Sequence, residues 1–529
     1  MPTESDAPVE RVLVIAVDRL GDVLQAAATL HAVRSRFHGA RIDLLALANF
    51  AEVLAGSPFH DRFLGLSPED VQGYDRVAEG LLAGGTVTNE GFAELVDTLR
   101  AEQYDLVVNL VTNTLGAWLT TVASPRFLVG LYIAADRSLL VEGSSLRYFV
   151  ALLDFRDENP FNLVDLFRAS VAEPRAVALP EVYIASAPTF LLPSGDDVVA
   201  LNPGASQADR RWPLSRFAEL ADSLVADGFR VFLVGSPADQ ALCEAVRTAS
   251  HSKPTAYLGL TVPEMAGWFA TLGCVVANDT GAMHVAAAAG AKAVGIYGGF
   301  ARYRETAPFG GGYLVLESEE LTGVEVAAVR AAVLATVGRL GEPEARASWG
   351  SGLEVARTRI DPDRPGELGG LRFDVLVDRH GDGPDALRNR IVRTLVERTF
   401  ARRWGSSEAE RDELVAALEA FGNSEVRTEA GEGLLRWAEA LEAMATRWLA
   451  ATEGAAPSDE QIAILLKVEA MNVGQILGDG IVVLAKLLEW DLKMICFTDM
   501  ASFGAARSTV LRDTARLARR WAAALIIEA

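Results

Sequence analysis

The stretch RVLVIAVDRLGDVLQAAATLHAV, residues 11–33, places an apolar run and a helix-like segment on either side of one short turn. Residues 11–17 are almost continuously apolar, which is typical of a strand buried on both faces. After the turn at residues 18–22, apolar residues recur at three- and four-residue spacing, which indicates one face of a helix. A buried strand that leads directly into a helix predicts a parallel sheet covered by helices.

The same alternation of strand-like and helix-like segments continues along the first half of the chain and starts again near residue 197. The strand candidates are ARIDLLAL (40–47), YDLVVNL (104–110), RFLVGLY (126–132), DVVAL (197–201), FRVFLVG (229–235), CVVAND (274–279) and KAVGIYGG (292–299). Open α/β sheets bind ligands outside the carboxyl ends of their strands. We therefore predict an α/β protein with two doubly wound, Rossmann-like domains, residues 1–185 and 186–340, and a ligand cleft between them.

The composition changes after residue 340. Residues 341–370 are rich in glycine, proline and charge, and they predict a linker or an irregular crossing. Further on, an apolar stripe at helical spacing runs through Leu434, Trp437 and Leu441. We expect residues 371–529 to form a mainly α-helical C-terminal extension, to which the sequence assigns no role.

The overall composition excludes several classes of protein. With 529 residues the chain is too long for one core, and a net charge of −22 disfavours nucleic acid as a partner. Three scattered cysteines and six histidines without paired spacing predict neither a disulfide framework nor a histidine-built metal site. Because the N-terminus is acidic and no apolar run reaches about 18 residues, we expect a cytoplasmic protein.

The turn Gly21-Asp22 has two interpretations. Glycine permits a tight turn, and Asp22 caps the following helix by accepting a backbone N–H bond. Alternatively, Asp22 is a carboxylate at the mouth of the cleft that removes a proton from an incoming hydroxyl group. In that case the like charge of Asp18 would raise the pKa of Asp22.

The second motif is NPGASQADRRWPLSRF, residues 202–217, which begins with a loop of small residues after a strand. Its backbone N–H groups are suited to face an anion. The planar guanidinium of Arg210 or Arg211 is suited to clamp a diphosphate. The alternative is that both arginines are solvated and that Trp212 packs against the start of the helix.

The third motif is ANDTGAMHVAAAAGA, residues 277–291, where Asp279 and Thr280 stand between a strand and a helix. Either residue is an N-cap, or the helix start offers its free N–H groups to a phosphate. His284 lies one turn into the helix, where it either reaches the same site or is structural.

The order and spacing of these motifs, over about residues 11–339, resemble glycosyltransferase family 9, the ADP-heptose:lipopolysaccharide heptosyltransferases. The resemblance implies a GT-B fold of two Rossmann domains. It implies transfer of a heptose or similar sugar from a nucleotide sugar, expected to be ADP-linked, with inversion and with neither a metal nor another cofactor. It also implies Asp22 as the general base. The remaining site residues that the resemblance implies, all on the donor side, are Arg210, Asp239, Asp279, Thr280, Gly281 and His284. From the motifs themselves we add Gly204 on the donor side and Asp18 and Arg19 as candidates on the acceptor side.

Two features depart from the family. Arg210 stands where the family usually has lysine, and the residues beyond about 345 have no counterpart. The expected acceptor is a lipopolysaccharide-type glycolipid or a protein, reached at the periphery of the inner membrane, while the extension would serve oligomerisation or a protein partner. One alternative is a non-catalytic glycosyltransferase-like scaffold that acts through the extension. A nucleotide-sugar epimerase of the same fold is disfavoured, because the Gly-Asp turn indicates transfer onto an acceptor.

Overall fold

Two separate β-sheets organise the chain in a computed structural model. The described residues are 7–69, 90–134, 138–143, 146, 161–171, 183–187, 192–299, 301–350, 352–360, 371–377 and 379. All of them belong to one packed unit. Among the described residues, none of the helices combines the length and apolar character that a bilayer-spanning segment requires.

The first sheet has six strands in the order β3-β2-β1-β4-β5-β6. Its elements are β1 (Arg11–Ala16), α1 (Leu20–Arg36), β2 (Arg41–Leu47), β3 (Arg62–Leu66), α2 (Glu90–Glu102), β4 (Leu106–Asn109), α3 (Thr114–Ala123), β5 (Phe127–Ile133), β6 (Leu139–Glu142) and α4 (Leu163–Val171). Strands β1 to β5 are parallel, and β6 runs antiparallel to β5. Because β1 pairs with both β2 and β4, the strand order reverses beside β1, where open sheets place their ligands.

The second sheet has eight strands in the order β14-β13-β12-β11-β10-β7-β8-β9. Its strands are β7 (Gly195–Asn202), β8 (Arg230–Gly235), β9 (Thr255–Leu258), β10 (Leu272–Asn278), β11 (Ala293–Gly298), β12 (Leu314–Ser318), β13 (Leu353–Ile360) and β14 (Leu371–Val377). Its helices are α5 (Leu214–Ala226), α6 (Gln240–Ala249), α7 (Val262–Phe269), α8 (Gly281–Ala288), α9 (Tyr303–Thr306), α10 (Val326–Thr336) and α11 (Glu342–Arg346). Strands β7 to β12 are parallel, and here the order reverses between β7 and β10.

The apolar runs of the sequence lie at the centres of these sheets. Residues 12–16 of β1 are almost completely buried, and so are all seven residues of β10. Trp212 is fully buried at the start of α5, and its indole N–H donates to the carbonyl oxygen of Val324 at 2.7 Å. The prediction of an α/β fold with two doubly wound sheets is confirmed.

The segment after α10 differs from its prediction. Residues 341–370 are predicted as a linker or irregular crossing, but they contain α11 and β13, and β13 pairs antiparallel with β12. Residues 371–377, predicted as the start of the helical extension, form β14 against β13. Glu354 is buried in β13 between Leu353 and Val355, so the apolar signal of this strand is weak. The extension beyond residue 379 lies outside the described residues.

Candidate active site

The N-terminal turns of α1 and α8 meet at two glycines. A Cβ atom on Gly21 would lie 2.7 Å from Cδ2 of His284, and a Cβ atom on Gly281 would lie 2.9 Å from Cδ2 of Leu20. Both distances are well below a normal van der Waals contact, so a side chain at either glycine would force its neighbour to move. This pair of close approaches, which we call the glycine contact, brings the carboxyl ends of β1 and β10 to one cleft.

Asp22 lies in the first turn of α1, next to the glycine contact. Its Oδ2 accepts the backbone N–H of Arg19 at 3.2 Å, so the carboxylate does cap the helix. Burial, and then the negative charges of Asp18 and Asp279, raise the pKa of Asp22 to about 6, although the charge and N–H of Arg19 act in the opposite direction. The site therefore contains a carboxylate that exchanges its proton close to neutral pH.

Asp18 and Arg19 lie at the outer rim of the turn. The guanidinium Nε of Arg19 is 3.6 Å from Oδ1 of Asp18, and both side chains remain substantially exposed. An exposed ion pair of this kind contributes little to stability. Both side chains therefore remain accessible to solvent at the outer side of the turn.

Arg210 and Asp279 form an ion pair on the second sheet. The guanidinium Nη1 of Arg210 lies 3.4 Å from Oδ2 of Asp279, with exposed side-chain fractions of 14% and 7%. Arg210 is thus not a solvated surface residue. Its Nε is buried and has no hydrogen-bond partner among the described residues, so it offers a donor for an anion.

Asn278 holds the loop that carries Arg210. Its Oδ1 accepts the backbone N–H of Trp212 at 3.0 Å, and its Nδ2 donates to the carbonyl oxygen of Gly204 at 3.1 Å. Asn202 similarly donates to the carbonyl oxygen of Val234 at 2.9 Å. Neither role is predicted from the sequence, although each side chain is a carboxamide at the end of a buried strand, and that was the available signal.

Thr280 is the N-cap residue of α8, but its side chain does not cap the helix. The hydroxyl instead lies 3.5 Å from Oδ1 of Asn202. The first N–H groups of α8 are therefore left without a side-chain cap, which suits them to an anionic ligand.

His284 packs against Gly21 and is buried. Burial lowers the pKa of its imidazole to about 4. At neutral pH the ring is therefore uncharged, and it can offer a hydrogen bond or a packing surface but no positive charge.

Asp239 lies beside Gly204 at the carboxyl ends of β7 and β8. Its Oδ2 accepts hydrogen bonds from the N–H and the hydroxyl of Ser236, at 2.9 Å and 2.7 Å. Its Oδ1 would be only 2.7 Å from a Cβ atom on Gly204. The absence of a side chain at Gly204 thus lets the carboxylate of Asp239 contact the loop after β7. The second carboxylate oxygen, Oδ2, is hydrogen-bonded to Ser236.

The predicted residues therefore fall into three groups. Asp22 lies near Asp279, which pairs with Arg210, while Asp18 and Arg19 lie at the exposed side of the turn. Asp239 lies to one side, at the end of β8. Within the described part of the chain, no group of three or more His, Cys, Asp or Glu side chains is arranged to hold a metal ion.

Comparison with known proteins identifies the class of protein. The chain is a glycosyltransferase: residues 92–321 match the family model of glycosyltransferase family 9 (heptosyltransferase). This region is similar to the heptosyltransferases of family 9.

Two curated relatives illustrate the extent of the match. Lipopolysaccharide heptosyltransferase 3 of Escherichia coli is 22% identical over 286 residues, which cover 53% of this chain and 80% of the relative. Lipopolysaccharide heptosyltransferase 2 of Salmonella typhimurium strain LT2 is 36% identical over 115 residues, which cover 21% and 33%. Similarity to these relatives is therefore high only in a short part of the chain.

Two solved structures are also similar in part. The glycosyl transferase family 9 protein of Veillonella parvula DSM 2008 is 17% identical with a TM-score of 0.49, covering 64% of this chain and 100% of that chain. The ADP-heptose lps heptosyltransferase II of Escherichia coli is 20% identical with a TM-score of 0.47, covering 62% and 99%.

Proposed function

We propose that this protein transfers a heptose or similar sugar from an ADP-linked donor to an acceptor hydroxyl group, with inversion and without a metal ion. The observation that carries the proposal is the position of Asp22, which lies beside the glycine contact and close enough to Asp279 for that charge to act on it, while Asp279 pairs with Arg210. The names of the relatives, which are lipopolysaccharide heptosyltransferases, support a lipopolysaccharide-type glycolipid as the acceptor.

In the proposed reaction the acceptor oxygen attacks the anomeric carbon while Asp22 accepts the hydroxyl proton. The bond between the anomeric carbon and the diphosphate oxygen breaks, and the nucleoside diphosphate leaves with the bonding electrons. Arg210 and the uncapped N–H groups of α8 stabilise the charge that develops on the leaving group. One displacement from the face opposite the diphosphate inverts the anomeric centre.

The pH dependence of turnover tests the base. Because the base must be ionised and burial raises the pKa of Asp22 to about 6, kcat/KM should fall about tenfold per pH unit below pH 6 and level off above it. Removing the charge of Asp18 with Asp18→Asn should move this limb to lower pH, since that charge is the second cause of the raised pKa. A kcat/KM that stays flat from pH 7 to pH 4.5 would contradict the role of Asp22.

Donor binding tests Arg210. Arg210→Ala should weaken ADP binding about ten- to hundredfold in calorimetry, because a hydrogen bond to a charged group contributes about 1.5–3 kcal/mol. Arg247→Ala is the matched control: it removes a cation from an exposed pair with Glu244 on α6 and should leave the affinity within twofold. Equal ADP affinity in the wild type and Arg210→Ala would remove Arg210 from the donor site.

A further inference from the structure

The segment of residues 302–309, which we call the strap, crosses from the second sheet to helices of the first. The side-chain Nε2 of Gln25, on α1, donates to the carbonyl oxygen of Thr306 at 3.3 Å. The buried Nδ2 of Asn162, just before α4, donates to the carbonyl oxygen of Ala307 at 2.8 Å. Gln25 lies one turn after Asp22 on α1. The strap therefore contacts α1 one turn away from the carboxylate that is the proposed base, and so holds that part of the helix.

An apolar cluster reinforces these hydrogen bonds. Phe309 of the strap packs with Ala28 of α1, Val164 of α4 and Leu371 of β14, all of them buried. The carboxylate of Asp165 also accepts the backbone N–H of Leu371 at 3.1 Å. The strap and the β13–β14 hairpin therefore contact the first half together.

A buried ionic network fixes the other side of the strap. Arg304 Nη2 lies 2.7 Å from Oε1 of Glu354, and Arg379 Nη1 lies 3.1 Å from Oε1 of Glu317. The backbone N–H of Tyr303 donates to Oε2 of Glu317 at 2.9 Å, and its hydroxyl donates to Glu354. Removing one member of such a network leaves an uncompensated buried charge, which destabilises the segment that the network holds.

Two members of this network, Glu354 and Arg379, lie beyond residue 321, where the match to the family model ends. We propose that the β13–β14 hairpin, through Glu354 and Arg379, is a positioning element for the cleft. It holds the strap against α1 and α4, and the strap holds α1 in the orientation that presents Asp22 to α8. Neither residue is catalytic. The effect on turnover rests on the proposed function, but the effect on the position of α1 does not.

The first test compares two arginines of the same region. Arg379→Met removes a buried cation of the network. Arg359→Met is the control, because it removes an exposed cation outside the network, whose Nε lies 3.3 Å from Oδ2 of Asp374. In Arg379→Met, hydrogen exchange of peptides covering residues 20–25 and 302–309 should accelerate at least tenfold. Turnover should fall at least tenfold, while ADP affinity stays within threefold because the donor contacts lie on the second half. Arg359→Met should match the wild type, and Arg379→Lys should restore part of the protection.

Asn162→Asp gives a second variant that leaves the network intact. It is isosteric and keeps the Oδ1 that accepts the N–H of Val164 at 3.1 Å, but it replaces the donor to the strap with an acceptor. It should reproduce the exchange and turnover changes of Arg379→Met, because it breaks the contact between the strap and the first half. If Arg379→Met does not fold, Arg379→Lys tests the network in its place.

Wild-type exchange at residues 20–25 in either folded variant would overturn the proposal. Failure of the wild-type enzyme to transfer sugar would instead overturn the proposed function, because the exchange measurement requires no turnover.

Discussion

Asp22→Asn should lower the turnover number by about 10²–10⁴-fold while ADP binds as it does to the wild type. The amide has the shape of the carboxylate, and its oxygen can still accept the N–H of Arg19, so the helix cap survives. It cannot accept the proton of the acceptor hydroxyl at neutral pH. Single-turnover kinetics with an ADP-linked heptose, together with calorimetry of ADP, separate the chemical step from binding.

Glu264→Gln is the matched control for this experiment. Glu264 holds the equivalent position in the first turn of α7, where its Oε2 accepts the N–H and the hydroxyl of Thr261, both at 2.9 Å. Its replacement changes a capping carboxylate to an amide outside the cleft, and turnover should stay within twofold of the wild type. If Asp22→Asn behaves like Glu264→Gln, the carboxylate of Asp22 is a helix cap and nothing more.

The sequence was sufficient to predict the central strands of both sheets, but β3, β6, β9 and β12 were not among the candidates. An apolar run such as residues 12–16 is stable only when buried on both faces, and the structure buries it in β1. The carboxyl ends of parallel strands share one edge of a sheet, so Asp279 and Arg210 could be expected to lie near each other.

The contacts between the two halves could not be predicted in this way. The approach of Leu20 to Gly281 depends on how two helices from different sheets pack, and neither residue stands out in its local pattern. The strand β13 was hidden because it buries Glu354, whose charge is compensated by Arg304 and Arg379. Both arginines are distant from Glu354 in sequence. Pairing over such distances leaves no periodic signal.

Gly21→Ala should lower kcat/KM about ten- to hundredfold, which makes the glycine contact the second test with a large expected effect. The added Cβ would lie 2.7 Å from Cδ2 and 2.9 Å from Nε2 of His284, and the first distance is about 0.8 Å short of a normal carbon–carbon contact. Because His284 is buried, the ring cannot swing into solvent, and α1 and α8 must separate. A displacement of about 1 Å of a reacting group can cost about a hundredfold in rate.

Gly39→Ala supplies the control, since a Cβ atom at Gly39 would meet nothing within 4 Å. It adds the same methyl group just after α1, so it should leave turnover and the melting temperature close to those of the wild type. If Gly21→Ala also keeps wild-type turnover, the cleft tolerates a wider separation of the two helices. The position of Asp22 relative to α8 would then not depend on the glycine contact. Asp22 would have to accept the proton at more than one distance between α1 and α8.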